Sequence, residues 1–567
     1  MLFDCFESNV FLVLLKNNLK LLIQLLISKM NIHFKPIFYY LKNLFHSLFI
    51  LFLLFFSSIA FSKDEVININ GRILFIPSKK NYPYAEEIFR TPPITLFDTS
   101  SYDHVLEDLW PSSSPSFNQL IYTEDEQKIL FENMLDRYYG EAITSKSPWN
   151  SSYIDSLFSE KSLPQLVIPE KFLQNNSFSN NDTKFYGANF KPYYSNWFTA
   201  LDKNINIANF ETKYEANHRA ITVDNATLRL SPTIEPLFYD IREPGEGYPF
   251  DAFQESMLRP GTPVYVMGVS LDKAWAFVIA PEARGWTPIK NLARTSNEFI
   301  KKWRYLSKNL GAVIKNHLAI SNRFDVLQFI ADIGTLLPII PSKNKKNDIS
   351  KVSKLSVYET KNNQKLFQKI AIPIVNQKGF AEIDFSDVAA ESLVSVPWQA
   401  TPKHFIDLIN QMKARPYGWG SAYGYNDCSA ELRSILAPFG IWLPRFSGDQ
   451  MEYLNSIDYS ALSPPERINR LIETGKPFRT IVNFGKHTTL YIGKKIKLSQ
   501  NSLQPSYIPY VYQNLWSIRD KDKKRRAIVG GAYVMPVTES FNYDPQLIGQ
   551  AALYLFQLGE AVSNVSK

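Results

Sequence analysis

The sequence predicts a multidomain protein: a mixed α+β unit near the C-terminus, two small β-barrels before it, and an N-terminal region of helices. Three observations carry this expectation. The chain has 567 residues, several times the size of one domain. From His218 to Leu292, short apolar runs alternate with Gly and Pro punctuation, which suits a small barrel rather than a βαβ unit. From Pro397 onward, two amphipathic helical patterns are followed by strand patterns.

The elements follow in chain order. Leu44 to Phe56 is an apolar run preceded by Lys35 and Lys42 and followed by Ser57, Ser58, Ile59 and Ala60, the pattern of a secretory signal peptide. A membrane anchor needs about 20 uninterrupted apolar residues, and Lys16, Lys20 and Gln24 break the preceding stretch from Phe11 to Ile27. Residues 1–62 are therefore expected to be a signal peptide, with 1–29 an upstream extension ahead of Met30. The protein is expected to be exported, periplasmic or secreted, and to meet a membrane only through this segment.

Residues 63–165 are expected to form an N-terminal helical, wrapping domain, with Gln127 to Tyr139 as one helix. The polar stretch from Asn175 to Asp182 reads as a loop. Residues 166–295 are assigned to the first barrel with its lead-in, on strand patterns at Ala220–Val223, Thr227–Leu230, Thr262–Val269, Trp275–Ile279 and Gly285–Ile289. Residues 296–390 are assigned to a second barrel, with strands at Leu336–Ile340, Lys354–Tyr358 and Phe367–Ile374. The α+β unit spans 391–545, and 546–567 is expected to be a helix or tail.

Within the α+β unit, Thr401 is an N-cap followed by Pro402 at the first helical position, and Phe405, Leu408, Ile409 and Met412 fall on one face. A second helix starts at Cys428, where Leu432, Ile435, Leu436 and Phe439 repeat the spacing and Gly440 supplies the stop. Strands are expected at Arg479–Phe484, Thr488–Ile492 and Ala527–Met535.

Composition excludes some classes. The chain is 45% hydrophobic and 14% aromatic, too apolar for a disordered polymer. Its net charge of +8 becomes +5 without residues 1–62, which hold five Lys and two acidic groups, and no Arg-dense cluster argues for nucleic acid. Of two cysteines, Cys5 lies in the expected signal segment, so Cys428 would be alone and an internal disulfide impossible. Asp427 is a good N-cap, which puts Cys428 in the first turn of a helix, where free N–H groups and the helix dipole favour a thiolate. A thiolate nucleophile needs a base. Downstream of the signal segment the histidines are His104, His218, His317, His404 and His487. His404 lies on the polar face of its helix. His487 opens the strand pattern His487-Thr488-Thr489-Leu490-Tyr491-Ile492-Gly493 in the same unit as Cys428. A third group should orient the imidazole, and Gln513 and Asn514 are candidates. The histidines show no metal-ligand spacing, so neither a metal nor a cofactor is expected.

Tyr417-Gly418-Trp419-Gly420, Asp427-Cys428-Ser429, Gly440-Ile441-Trp442-Leu443-Pro444-Arg445 with Gln450, and His487 with Leu490-Tyr491-Ile492-Gly493 together resemble the NlpC-type papain-like cysteine peptidases of bacterial cell-wall turnover. Thr227-Leu228-Arg229-Leu230-Ser231-Pro232, Pro249-Phe250-Asp251, Gln254-Glu255-Ser256, Trp275 and Gly285-Trp286 resemble the bacterial SH3-like domains that precede the peptidase in γ-D-glutamyl-L-diamino acid endopeptidases. The resemblance implies that Cys428 attacks the γ-D-glutamyl to meso-diaminopimelate amide of peptidoglycan stem peptides or muropeptides, with His487 as general base and then acid. It implies that Tyr417 stabilises the oxyanion. It also implies that Asp427 and Ser429 line the stem-peptide pocket, Asp427 pairing with a free L-alanine amine. Relatives often carry histidine at the third position, in a segment ending Trp-Gly. This chain reads Gln513-Asn514-Leu515-Trp516-Ser517, so Gln513 is assigned with Asn514 as its alternative. The first barrel is expected to cover one side of the cleft. The rival readings are an amidase or acyltransferase using the same pair, and a wall-binding protein with a silent catalytic unit.

Overall fold

The computed structural model describes residues 65–69, 72–76, 94–167, 185–239, 247–341, 357–360, 363–497, 506–522 and 525–561. The expected signal segment and the 175–182 loop lie outside them, as do the first residues of the expected 354–358 strand. Two compact units are present, Met1–Phe89 and Arg90–Lys567. The first contains an antiparallel hairpin of β1 (Glu65–Ile69) and β2 (Arg72–Ile76). Among the described residues no helix is long and apolar enough to cross a membrane.

The second unit begins with a short strand, β3 (Ile94–Leu96), and a helix, α1 (Glu124–Tyr139). A capping box starts α1: Thr123 accepts from the Glu126 N–H while the Glu126 carboxylate accepts from the Thr123 N–H, satisfying two end donors reciprocally. This helix links three cores. Leu130 enters the core of the C-terminal unit, Met134 joins Leu310 and Leu336, and Tyr139 packs with Ile221 and Trp303. Its buried Gln127 bonds to the Trp398 and Phe439 carbonyls and to the Ala400 N–H. The N-terminal region therefore wraps the other units and shares their cores.

Helix α2 (Ser195–Ile205) leads into seven strands: β4 (Arg219–Thr222), β5 (Ala226–Arg229), β6 (Gln254–Leu258), β7 (Pro263–Val269), β8 (Trp275–Ile279), β9 (Arg284–Pro288) and β10 (Leu292–Arg294). They form one sheet in the order β10-β4-β7-β8-β9-β5-β6 around Trp286, Tyr265 and Met267. Strand β6 was not among the expected strands. Its segment Gln254-Glu255-Ser256-Met257-Leu258 alternates in burial, but polar residues occupy buried positions, so its hydropathy carries no period-2 signal.

The second β region comprises β11 (Leu310–Val313), β12 (Leu318–Ser321), β13 (Leu327–Ala331), β14 (Leu336–Pro338), β15 (Val357–Thr360), β16 (Asn363–Val375), β17 (Ala381–Ala389) and β18 (Leu393–Ser395), in three small sheets over Val313, Phe329, Ile370 and Val388.

The C-terminal unit places α3 (Pro402–Met412) and α4 (Cys428–Leu436) before a sheet formed with β19 (Ile457–Asp458), β20 (Thr480–Phe484), β21 (His487–Lys497), β22 (Ser506–Arg519) and β23 (Arg526–Pro536). With β26 (Phe556–Glu560), the sheet order is β19-β26-β20-β21-β22-β23-β3. Two of its strands come from outside the expected 391–545 range. Strand β3 pairs parallel to β23, with Ile94 opposite Arg526. The described residues 546–561 are not a helical tail: after β24 (Ser540–Phe541) and β25 (Asp544–Ile548), β26 enters the sheet beside β20, with Phe556 opposite Phe484. Phe556 and Leu558 alternate with polar neighbours, a strand period, and a Cβ on Gly559 would lie 2.9 Å from the Leu454 side chain.

Candidate active site

Helix α4 begins at Cys428 because Asp427 caps it, its Oδ1 accepting from the Ala430 N–H at 3.0 Å. Cys428 is the first helical residue. The backbone N–H groups of Thr488 and Ser429 both point at its sulfur, so the thiol lies against the head of β21, one residue from His487. Burial, reinforced by the Asp427 carboxylate, pushes the thiol up to about 11, the two N–H groups and Arg445 opposing. Burial also pushes the His487 imidazole down to about 4, against the pull of Gln513 and Asp427. Both shifts favour the neutral thiol and the neutral imidazole, in opposition to the thiolate that the helix start favours.

His487 Nε2 lies 2.9 Å from Gln513 Oε1. The amide oxygen can only accept, so Nε2 carries the proton and the free lone pair is left on Nδ1. Side chains along β22 alternate faces, and Asn514 accordingly points elsewhere, its Nδ2 donating to the Asn426 carbonyl at 2.8 Å and to Glu431 Oε2 at 3.4 Å. His404 stacks on Trp398 and bonds through Nδ1 to the Gln399 carbonyl.

Tyr417 stands close enough to Cys428 and Asp427 to feel their charges. Burial, then those two groups, hold its hydroxyl well above the ordinary phenol value, so it stays a donor. Asp427 and Ser429 are brought together, but around Arg445. That guanidinium is 2% exposed and donates to Asp427 Oδ1 (3.1 Å) and Oδ2 (2.6 Å), to Ser429 Oγ (2.7 Å) and to Ser256 Oγ (2.9 Å) of β6. Asp427 Oδ2 also accepts from the Gly420 N–H at 3.1 Å. Both residues flanking Cys428 are thus clasped by one arginine that reaches into the first barrel. Sequence reasoning quoted Arg445 within a motif without giving it a role; its chemistry lies in contacts far apart along the chain.

The first barrel forms one wall of the site. Phe250 meets Trp419 at 5.1 Å, Trp516 at 5.4 Å and Tyr417 at 6.4 Å between ring centroids, in edge-to-face geometry. Trp419 Nε1 donates to the Asp251 carbonyl and Gln254 Nε2 to the Gly420 carbonyl. Gly420 has φ +58°, and a Cβ there would lie 2.4 Å from the Gln254 carbonyl oxygen. This glycine admits the barrel rather than a substrate chain. The described residues contain no cluster of three or more His, Cys, Asp or Glu able to hold a metal ion.

A thiol at a helix start, an imidazole at the head of the neighbouring strand and an amide bonded to it are carried on a fold with solved counterparts. An NlpC/P60 endopeptidase from Photobacterium damselae subsp. piscicida superposes with a TM-score of 0.63 and 24% identity, covering 83% of this chain and 98% of that one. NlpC2 from Trichomonas vaginalis aligns at 13% identity over 52% of this chain and 93% of that one, with a TM-score of 0.19, too low to carry an argument. The sequence-family profile for an SH3 domain (SH3b1 type) matches residues 236–288, inside the first barrel. No curated protein matches the chain. The protein thus has the multidomain α+β fold of an NlpC/P60 endopeptidase, with an SH3b1-type domain against the site.

Proposed function

We propose that this protein is an exported cysteine endopeptidase that hydrolyses the γ-D-glutamyl to meso-diaminopimelate amide of peptidoglycan stem peptides. The observation that carries the reading is the Cys428 thiol held by the N–H of Thr488, the residue after His487, with His487 Nε2 bonded to Gln513 at 2.9 Å. As the sulfur attacks the amide carbonyl, its proton passes to His487 Nδ1 and negative charge collects on the carbonyl oxygen, where Tyr417 and the Cys428 N–H are the candidate donors. Collapse breaks the C–N bond, the amine leaves with the proton from His487, and a thioester remains. Water then gives a proton to His487 and attacks the thioester, releasing the carboxylic acid and restoring the thiol. A neutral resting pair suits this order, because the imidazole is free to accept when substrate arrives.

The aromatic wall of Phe250, Tyr417, Trp419 and Trp516 suits a peptide entering between the barrel and the sheet. The test is digestion of L-Ala-γ-D-Glu-meso-diaminopimelate and of whole sacculi, followed by mass spectrometry. The expected result is release of diaminopimelate, lost in Cys428→Ala. Cleavage at the sugar to L-alanine amide would instead mark an amidase, and sedimentation with sacculi without cleavage would mark a binding protein.

A further inference from the structure

Glu431 lies one turn beyond Cys428 on α4, faces the sheet and is 1% exposed. A carboxylate loses much of its hydration when buried, so it requires donors in place of water. Here the donors are neutral: the Tyr512 hydroxyl on Oε1, and on Oε2 the side-chain amides of Asn426 at 2.9 Å and Asn514 at 3.4 Å. Among the described residues no ion pair is made by Glu431. Burial pushes its carboxyl above the ordinary value, and these three donors pull it back.

The placement of the donors is informative. Asn426 is two residues before Cys428, in the loop that delivers the nucleophile. Its amide also donates to Ser434 Oγ at 3.2 Å and its carbonyl accepts from Asn514. Tyr512 and Asn514 flank Gln513 on β22, and by strand alternation share one face of the sheet while Gln513 takes the other. One carboxylate therefore ties the nucleophile's helix and loop to the two residues that bracket the imidazole's hydrogen-bond partner. Gln513 itself has a buried Nε2 without a partner, so its single bond to His487 does not fix its orientation. The clamp on its neighbours adds a side-chain tie to the backbone pairing that holds β22 between β21 and β23.

We propose that Glu431 is a positioning residue that acts through Gln513, setting the strand phase at which the amide oxygen meets His487 when Cys428 reacts. The idea rests on the peptidase reading above. Glutamine is the discriminating replacement, because it keeps the size of the side chain but offers one acceptor oxygen. Its NH2 must then either meet the Asn amides donor to donor or donate to the Tyr512 hydroxyl, which turns that O–H away and reverses the bond.

Four proteins test this: wild type, Glu431→Gln, Gln513→Ala and the double variant. Glu431→Gln is expected to lower kcat on the tripeptide about 10- to 100-fold with KM within about threefold, and to lower kcat less than about threefold further when Gln513 is already alanine. Should Glu431→Gln not fold, Tyr512→Phe replaces it in the same cycle, removing one donor. A folded Glu431→Gln with wild-type kcat, or a loss that multiplies in full on Gln513→Ala, overturns the proposal. If wild type cleaves nothing, the peptidase reading is what fails. Iodoacetamide alkylation of Cys428, followed by peptide mass spectrometry in the same four proteins, then decides the positioning question. Equal slowing by each single variant without multiplication supports the coupling, while unchanged rates in Glu431→Gln or multiplied effects refute it.

Discussion

Replacing Arg445 with methionine removes the clasp around the nucleophile while keeping the straight aliphatic stem. Breaking a buried ion pair by deleting one partner costs about 3–5 kcal/mol, because the other charge is left uncompensated. Asp427 would keep two backbone donors, the Gly420 and Ala430 N–H groups, so the lower end, about 3 kcal/mol, is expected. Each kcal/mol lowers the melting point of a unit of this size by about 2–4 °C. A fall of about 6–12 °C should therefore appear in a thermal melt followed by near-ultraviolet circular dichroism. Adding Asp427→Asn removes the orphaned charge and should recover at least about 1 kcal/mol, or several degrees. Arg445 also bonds Ser256 of the barrel, so limited proteolysis between barrel and catalytic unit should accelerate in Arg445→Met. A single variant melting within about 1 °C of wild type, or a double variant melting lower than the single, would refute the reasoning.

Gln513→Ala should lower kcat about 100-fold, the scale of a misdirected general base, with an unchanged circular dichroism spectrum, whereas a loss confined to KM would remove Gln513 from the imidazole's support. Phe250→Ala takes one ring from the wall and should raise KM about 3- to 10-fold at nearly constant kcat, as steady-state kinetics on the tripeptide will show. His487 titrates near pH 4 when folded and near 6.5 when unfolded. The unfolded chain therefore binds more protons between these values, and the stability that comes from keeping the ring neutral is complete above about 6.5 and declines as pH falls toward 4. Urea midpoints across that window should slope more steeply in wild type than in His487→Asn, and equal slopes would dismiss the buried neutral ring.

Local pattern carried helix α4 and its cap. Asp427 before an apolar i, i+3, i+4 face set the start of α4 at Cys428, and Thr401-Pro402 set the start of α3, because capping is decided by residues within one turn. Strand β21 was legible in the same way. The choice between Gln513 and Asn514 was not, since neighbouring residues differ only in which face of β22 they take, and that follows from the register with β21, Tyr512 opposite Leu490. Nor did the tail reveal itself as β26, a strand whose pairing partners lie some 70 residues earlier on β20. A helix N-terminus favours a poised thiolate, whereas burial and the Asp427 carboxylate act against it, an opposition that only the packed structure reveals.

The sequence by itself thus placed Cys428 at a capped helix start and His487 at the head of a strand in the same unit, because each rests on spacing within a short stretch of chain. Tertiary structure decided how those groups are held. Arg445 reaches Ser256 across 189 positions, Glu431 reaches Tyr512 across 81, and Phe250 closes on Trp419 from another domain. Hydrogen bonds and ring contacts between residues so distant leave no periodic trace in a single sequence, since they depend on which surfaces the packed cores bring face to face.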